Sequence, residues 1–338
     1  MKTIIIVGTG KAGYLHWNSY RKMKPVPTLY TVDTRDTPRN PHITPEPGHF
    51  HHTIADTMAA GRLSPDDVVV DICTPCSCFL TVIADSYALG IRRIIVEKPF
   101  VTDESFFRTY PDLDIFMIHN YAFSKITQHV AAFYQHNRLK AKNIRVVFDK
   151  NRILDSRAGR GGSDGVLVPN MEVEIPHSIY MVQHILGRNL PIRLMRLVER
   201  PMVAEELVIP RHGYCSITSM IGNTEVVYES NFMSPEIHKF IEIQCDDNWL
   251  IKGQWATYSP DLQLLTKACV SVWHCGEEVK YETFDVDDNF LTCLQTALRH
   301  FELDHSAEWH SECEAYQELI LAFSREMKLY LDAGEKQQ

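Results

Sequence analysis

The chain opens on an apolar, β-branched run, "TIIIV" at residues 3–7, which breaks at once into glycines. Similar runs follow: "TLYTVD" (28–33), "DVVVDICTP" (67–75), "RRIIVEKPF" (92–100) and "DIFMIHNYAF" (114–123). They alternate little between apolar and polar positions, as strands buried on both faces of a parallel sheet do. Between them lie segments with helical spacing, "AGYLHWNSYRKM" (12–23) and "SCFLTVIADSYALG" (77–90), the second ending at Gly90. The alternation predicts an α/β fold, a Rossmann-type doubly wound parallel sheet over residues 1–120.

From residue 143 the pattern changes. "NIRVVF", "IRLMRLVE", "YCSITSMI", "TEVVYESNF", "HKFIEIQCDD", "WLIKGQWATY" and "ACVSVWHC" read as strands, separated in part by Gly-Asn, Asp-Asp and Cys-Gly turn signals. Two helical segments, 288–303 and 311–332, close the chain. This predicts an α+β C-terminal domain over 121–338, built on an open, mostly antiparallel sheet. Two helices cannot cover such a sheet alone. Its open face, with Trp249, Trp255 and Trp273, is the expected surface of a homodimer or homotetramer.

Composition narrows the class. A chain of 338 residues suits two domains better than one core. The net charge is -9 and there is no Lys/Arg-rich block, so neither nucleic acid nor a membrane surface is an expected partner. No apolar run approaches the roughly 20 residues of a membrane span. The apolar start is too short for a signal-peptide core. With no export signal read, the nine cysteines are expected as thiols in the cytoplasm.

Gly8, Gly10 and Gly13 form G-x-G-x-x-G directly after the first strand, with Thr9, Lys11 and Ala12 between them. The glycines permit a tight turn and close approach of backbone to a pyrophosphate at a helix N-terminus. Asp33 ends the second strand, placed to accept ribose hydroxyls and so to favour NAD(H). Arg35 leaves NADP(H) open. "DICTPCSC" carries a C-x-x-C pair, Cys73 and Cys76, of the kind found in redox dithiols and zinc knuckles. Here the first Cys still belongs to a buried strand, so Thr74, Pro75 and Cys76 are read as a loop passing the cofactor. No metal site is expected.

Taken in order, "GTGKAG" (8–13), "DICTP" (71–75), "EKP" (97–99) and "HNYAFS" (119–124) resemble the Gfo/Idh/MocA oxidoreductases, named for glucose–fructose oxidoreductase, inositol dehydrogenase and a rhizopine-catabolism protein. "HSIYMVQHILG" (177–187) is a weaker match to the helix that starts at that family's catalytic His. The resemblance implies hydride transfer between NAD(P) and a secondary alcohol or ketone on a sugar, cyclitol or related polar metabolite. It implies that Glu97 and Asn120 line the cofactor with the loop residues. Lys98, preceding a cis Pro99, would reach the substrate, and His177 would exchange its proton. The family's Asp four residues before the His is Val173 here, with Glu174 as a candidate replacement and Tyr180 as a further proton donor. Tyr121, Arg157, Arg160 and Asn170 are candidate substrate contacts. The missing Asp keeps two other readings open: an imine or C=C reductase, and a nucleotide-binding regulator without turnover.

Overall fold

The computed structural model describes residues 3–157, 162–163, 166–186, 192–258, 264–302 and 307–336. The chain forms two compact units, Met1–Ile118 with Phe290–Ser324, and His119–Asn289 with Arg325–Gln338.

The first unit holds a six-stranded parallel sheet. In spatial order its strands are Phe50–His51, Thr28–Val32, Thr3–Val7, Val68–Ile72, Arg93–Val96 and Asp114–Met117. That is the Rossmann order, which reverses direction between Thr3–Val7 and Val68–Ile72. Ile4, Ile5, Val69, Val70, Ile94 and Ile95 are fully buried, as the unbroken apolar runs predict. The helices read from the sequence form at Lys11–Lys22 and at Phe79–Ala88, after a turn of 3-10 helix at Cys76–Cys78.

This unit also takes a C-terminal return, which a single boundary at residue 120 assigns elsewhere. The helix Asn289–Glu302 buries Leu294, Ala297 and Phe301, and His300 Nε2 lies 2.7 Å from Asp114 Oδ1. Asp114 is a carboxylate in a buried strand, and a distant segment supplies its partner.

The second unit holds an eight-stranded sheet. Its order is Ile192–Ala204, Leu207–Ile221, Thr224–Asn231, Ala141–Asn151, Met233–Cys245, Trp249–Gln254, Ala268–His274 and Glu277–Phe284. Only the pairing of Thr224–Asn231 with Ala141–Asn151 is parallel. Ile144, Val146 and Phe148 stand opposite Ile243, Ile241 and Lys239, so these six share one face. Lys125–His136 packs on that face: a Cβ at Gly253 would lie 2.7 Å from Ile126 Cγ2.

Trp249 and Trp255 depart from the open face expected of them. Trp249 packs on Phe133 of that helix, and Trp255 is buried, its indole N–H donating to Ser124 Oγ. The edge strand Glu277–Phe284 is absent from the sequence reading because it carries Glu277, Glu278, Lys280 and Glu282. Such charge is how an exposed edge resists pairing with another chain. No helix among the described residues is long and apolar enough to cross a membrane.

Candidate functional site

Gly8 has φ +96°, and a Cβ there would lie 2.9 Å from the Cys73 carbonyl. A Cβ at Gly13 would lie 2.0 Å from the Gly8 oxygen. These two glycines are demanded by the chain itself. Gly10 differs: its φ is -76° and no atom lies within 4 Å of a Cβ built on it. The loop is open on that side, where a pyrophosphate needs room. The helix Lys11–Lys22 has no side-chain cap, so its first turn offers N–H groups and a positive dipole end. Gly10→Ala is therefore expected to leave the melting temperature unchanged. Its affinity for NADH should fall by about tenfold or more, roughly 1.4 kcal/mol, as read by fluorescence titration.

Asp33 sits beside this loop. Its Oδ2 accepts from the Thr9 N–H at 3.0 Å and the Thr9 hydroxyl at 2.5 Å, and its Oδ1 from the Arg35 N–H at 3.3 Å. A carboxylate has about four acceptor positions, so capacity for a ribose hydroxyl remains. Arg35 is exposed. The Thr74 hydroxyl is buried with no partner among the described residues. An orphaned hydroxyl, an uncapped helix and the opening at Gly10 are what a dinucleotide would fill. Pro75 leads into the short 3-10 turn, and Cys76 is exposed.

Beneath the loop lies a buried network in which three members, His16, Tyr20 and Asp71, are new to the candidate set. His16 Nδ1 is 2.7 Å from Asp71 Oδ2, and its Nε2 is 2.9 Å from Glu97 Oε1. Tyr20 also donates to Asp71 Oδ2, at 2.8 Å, and Glu97 Oε2 accepts from the Lys98 N–H at 3.2 Å. Burial disfavours the imidazolium, but Asp71 and, to a lesser degree, Cys73 together outweigh it and hold the pKa of His16 well above its ordinary value. Burial likewise works against charge on Glu97, but the hydrogen bond from His16 keeps its carboxyl below the usual range. A protonated His16 thus ties the glycine-loop helix to the strand that ends in Glu97 and Lys98. Lys98–Pro99 is cis, as the resemblance implies.

The sequence held a signal for this network. Asp71 is a charge inside a fully buried strand, and His16 lies three residues after Gly13, on the helix face that must meet the sheet. Cys73 belongs to the same cluster. Its Sγ is 3.7 Å from Asp71 Oδ1, and burial pushes its thiol up to about 12, far from the thiolate of a redox pair. The donor atoms of His16, Asp71 and Cys73 lie within 4.8 Å of one another, a metal-like spacing that the sequence reading did not anticipate.

The remaining candidates lie in the second unit. The helix Ile175–Leu186 carries Pro176 in its first turn, where the ring is tolerated, and His177 directly after it. Glu174 precedes the helix. Its carbonyl accepts the His177 N–H at 3.1 Å, and its carboxylate forms an ion pair with Lys150. The His177 ring lies 4.9 Å from that of Tyr121, whose hydroxyl accepts from Lys239 Nζ at 3.1 Å. Lys150 and Lys239 are further residues absent from the sequence reading.

Tyr180 is buried and stacks on His119, with ring centroids 4.7 Å apart. Asn120 is buried, and its side-chain N–H donates to Asn289. Asn170 is fully buried, and its amide donates to the carbonyls of Gly213 and Ser230. Those bonds use its N–H groups to anchor the short helix Asn170–Val173, while its Oδ1 is buried with no hydrogen-bond partner among the described residues. Arg157 is exposed and pairs with Glu205. Arg160 lies outside the described residues.

No protein-family profile matches the sequence, and no curated protein matches it. Solved structures do. KijD10, a 3-ketoreductase from Actinomadura kijaniata in complex with NADP and TDP-benzene, matches at a TM-score of 0.70 and 11% identity, over 95% of this chain and 94% of that one. GenD2 from gentamicin A biosynthesis, in complex with NAD, matches at 0.69 and 13%, over 100% and 95%. A putative oxidoreductase, yvaA from Bacillus subtilis, matches at 0.67 and 13%, over 99% and 98%. At these identities the likeness is one of fold. The chain has the two-sheet fold of these proteins along nearly its whole length.

Proposed function

We propose that this protein is an NAD(P)-dependent oxidoreductase of the Gfo/Idh/MocA type, interconverting a secondary alcohol and a ketone on a sugar, cyclitol or related polar metabolite. The observation that carries the reading is the joining of the glycine loop to Lys98 through His16 and Glu97. It ties the helix opened by the glycine loop to the "EKP" segment that carries Lys98, through the Glu97 side chain and the Lys98 backbone N–H. The ligands named for similar structures support the same reading: NADP for KijD10 and NAD for GenD2.

The nicotinamide, when bound, supplies or accepts the hydride. The chain supplies the rest. Gly8, Gly10, Gly13 and the helix they open hold the diphosphate, with Thr74, Pro75 and Cys76 along the same side. Asp33 takes the adenosine ribose and biases the protein toward NAD(H). Lys98 stabilises negative charge developing on the substrate oxygen. His177 is assigned the proton exchange that the alcohol–ketone step needs, with a group whose ordinary pKa lies close to neutrality. Glu174 stands one residue after the place of the family's Asp, and its carboxylate is held by Lys150.

The test is isotopic. NADH carrying deuterium at C4 is incubated with a panel of keto sugars and keto cyclitols. Deuterium is expected at the new carbinol carbon of at least one product, with NADH used in preference to NADPH. Deuterium found instead beside an amine, in a parallel panel of imines, would move the reading to imine reduction. No transfer to any acceptor, with NADH bound, would move it to a regulator.

A further inference from the structure

One face of the second unit's sheet carries more positive charge than its own carboxylates answer. Lys150 and Phe148 share a face of Ala141–Asn151, and Lys239 stands opposite Phe148 on the neighbouring strand. Both lysines are half-buried. Arg152 lies close by, its guanidinium carbon 4.9 Å from the centre of the Phe232 ring that Lys150 Nζ also overlies at 5.5 Å. The carboxylate of this group among the described residues is Glu174, which pairs with Lys150 and acts on Lys239 only from beyond ion-pair distance, so one negative charge faces three positive ones. Lys239 Nζ donates to the Tyr121 phenol oxygen, which, with Glu174 farther off, holds its pKa above the ordinary value against burial, and no carboxylate among the described residues lies within ion-pair distance of it. An ammonium has three donors, and one is accounted for.

The surroundings make that excess costly. Phe148, Tyr121, Trp255 and Phe232 form apolar walls, with ring centroids 4.8 Å apart for Tyr121 and Phe148, and 5.6 Å for Phe148 and Trp255. Charge left unanswered beside such walls is destabilising, and an opposite charge placed there is held strongly. Burial already draws the Lys150 ammonium down to about 8. The charged groups on the other face, Arg145 with Glu229 and Lys252 with Glu242, are by contrast paired.

We infer that Lys239, backed by Lys150, is a subsite for an oxyanion carried by the substrate, a carboxylate or a phosphate close to the reacting carbon. This rests on the oxidoreductase reading for the word substrate, because the Tyr121 that Lys239 holds lies against His177. It narrows the substrate class from polar metabolites in general to acidic ones, such as sugar acids or sugar and cyclitol phosphates.

The test uses the whole chain labelled with 15N-lysine, near pH 6.5, where both ammonium groups carry charge. Sodium acetate and inorganic phosphate are titrated in separately, with ionic strength held by sodium chloride. A saturable shift of the Lys239 ammonium signal is expected, with a Kd on the order of 1–10 mM for so small an anion. Lys252, paired with Glu242 on the other face, serves as the control. The response should vanish in Lys239→Met and persist in Lys239→Arg, and both variants should keep wild-type affinity for NADH. Response to acetate alone selects the carboxylate, response to phosphate alone selects the phosphate, and response to both supports the oxyanion site equally. If neither anion moves the Lys239 signal beyond what chloride does, the subsite is refuted. NADH titration of the same samples separates the two readings, since loss of dinucleotide binding would sink the oxidoreductase assignment and leave an anion site standing.

Discussion

Replacing His16 by alanine is expected to destabilise the first unit by roughly 3–5 kcal/mol, the cost of removing one partner from a buried charge cluster. The imidazole contacts Asp71 and Glu97 from its two nitrogens. Without it two carboxylates remain with Tyr20, Cys73 and the Lys98 N–H as their donors among the described residues. The effect depends on pH in a definite direction. The pKa of His16 is raised in the folded state, so its contribution is complete below the ordinary value of 6.5 and is lost as pH rises through the folded value. That of Glu97 is lowered, so its contribution is complete above 4.5 and is lost as pH falls through the folded value. The stability difference between wild type and His16→Ala should therefore peak between those limits and shrink on both sides. Urea unfolding at a series of pH values measures it. A difference independent of pH would mean that His16 contributes packing rather than charge.

Lys98→Ala should act on turnover instead. It leaves Glu97, His16 and the glycine loop in place, so NADH affinity is expected to stay within about threefold of wild type, under 1 kcal/mol. The turnover number on any accepted substrate should fall by roughly 10²–10³, the usual cost of losing one group that stabilises transition-state charge. Pre-steady-state absorbance of NADH resolves the two quantities. Equal turnover in the variant would remove Lys98 from the chemistry. A parallel loss of NADH binding would make it a cofactor ligand only.

The parts of this arrangement that were legible in the sequence are those set by short-range rules. A strand followed by glycines at fixed offsets locates the loop, because only residues without a Cβ fit at Gly8 and Gly13. An unbroken apolar run ending in "EKP" locates Lys98, because buried parallel strands present their carboxyl ends to ligands. Lys150 and Lys239 lie far apart in the chain, and the register that sets Lys239 opposite Phe148 brings them to one face. A lone charge in an alternating strand gives no signal of which face will be covered, so neither lysine entered the candidate set. Trp249 and Trp255 misled in the opposite sense, because alternation assigns two faces without saying which one the helices cover. Asn170 was legible as a polar residue after a glycine-rich stretch, but only the fold shows its N–H groups donated to two backbone carbonyls far along the chain.

The most direct measurement is a fluorescence titration of NADH into wild-type protein and Gly10→Ala side by side. Saturable binding of one NADH per chain, in the micromolar range or tighter and weakened about tenfold or more in an equally stable variant, is the result that follows from a diphosphate held over Gly10. Absence of saturable binding of NADH or NADPH to the wild type would contradict it.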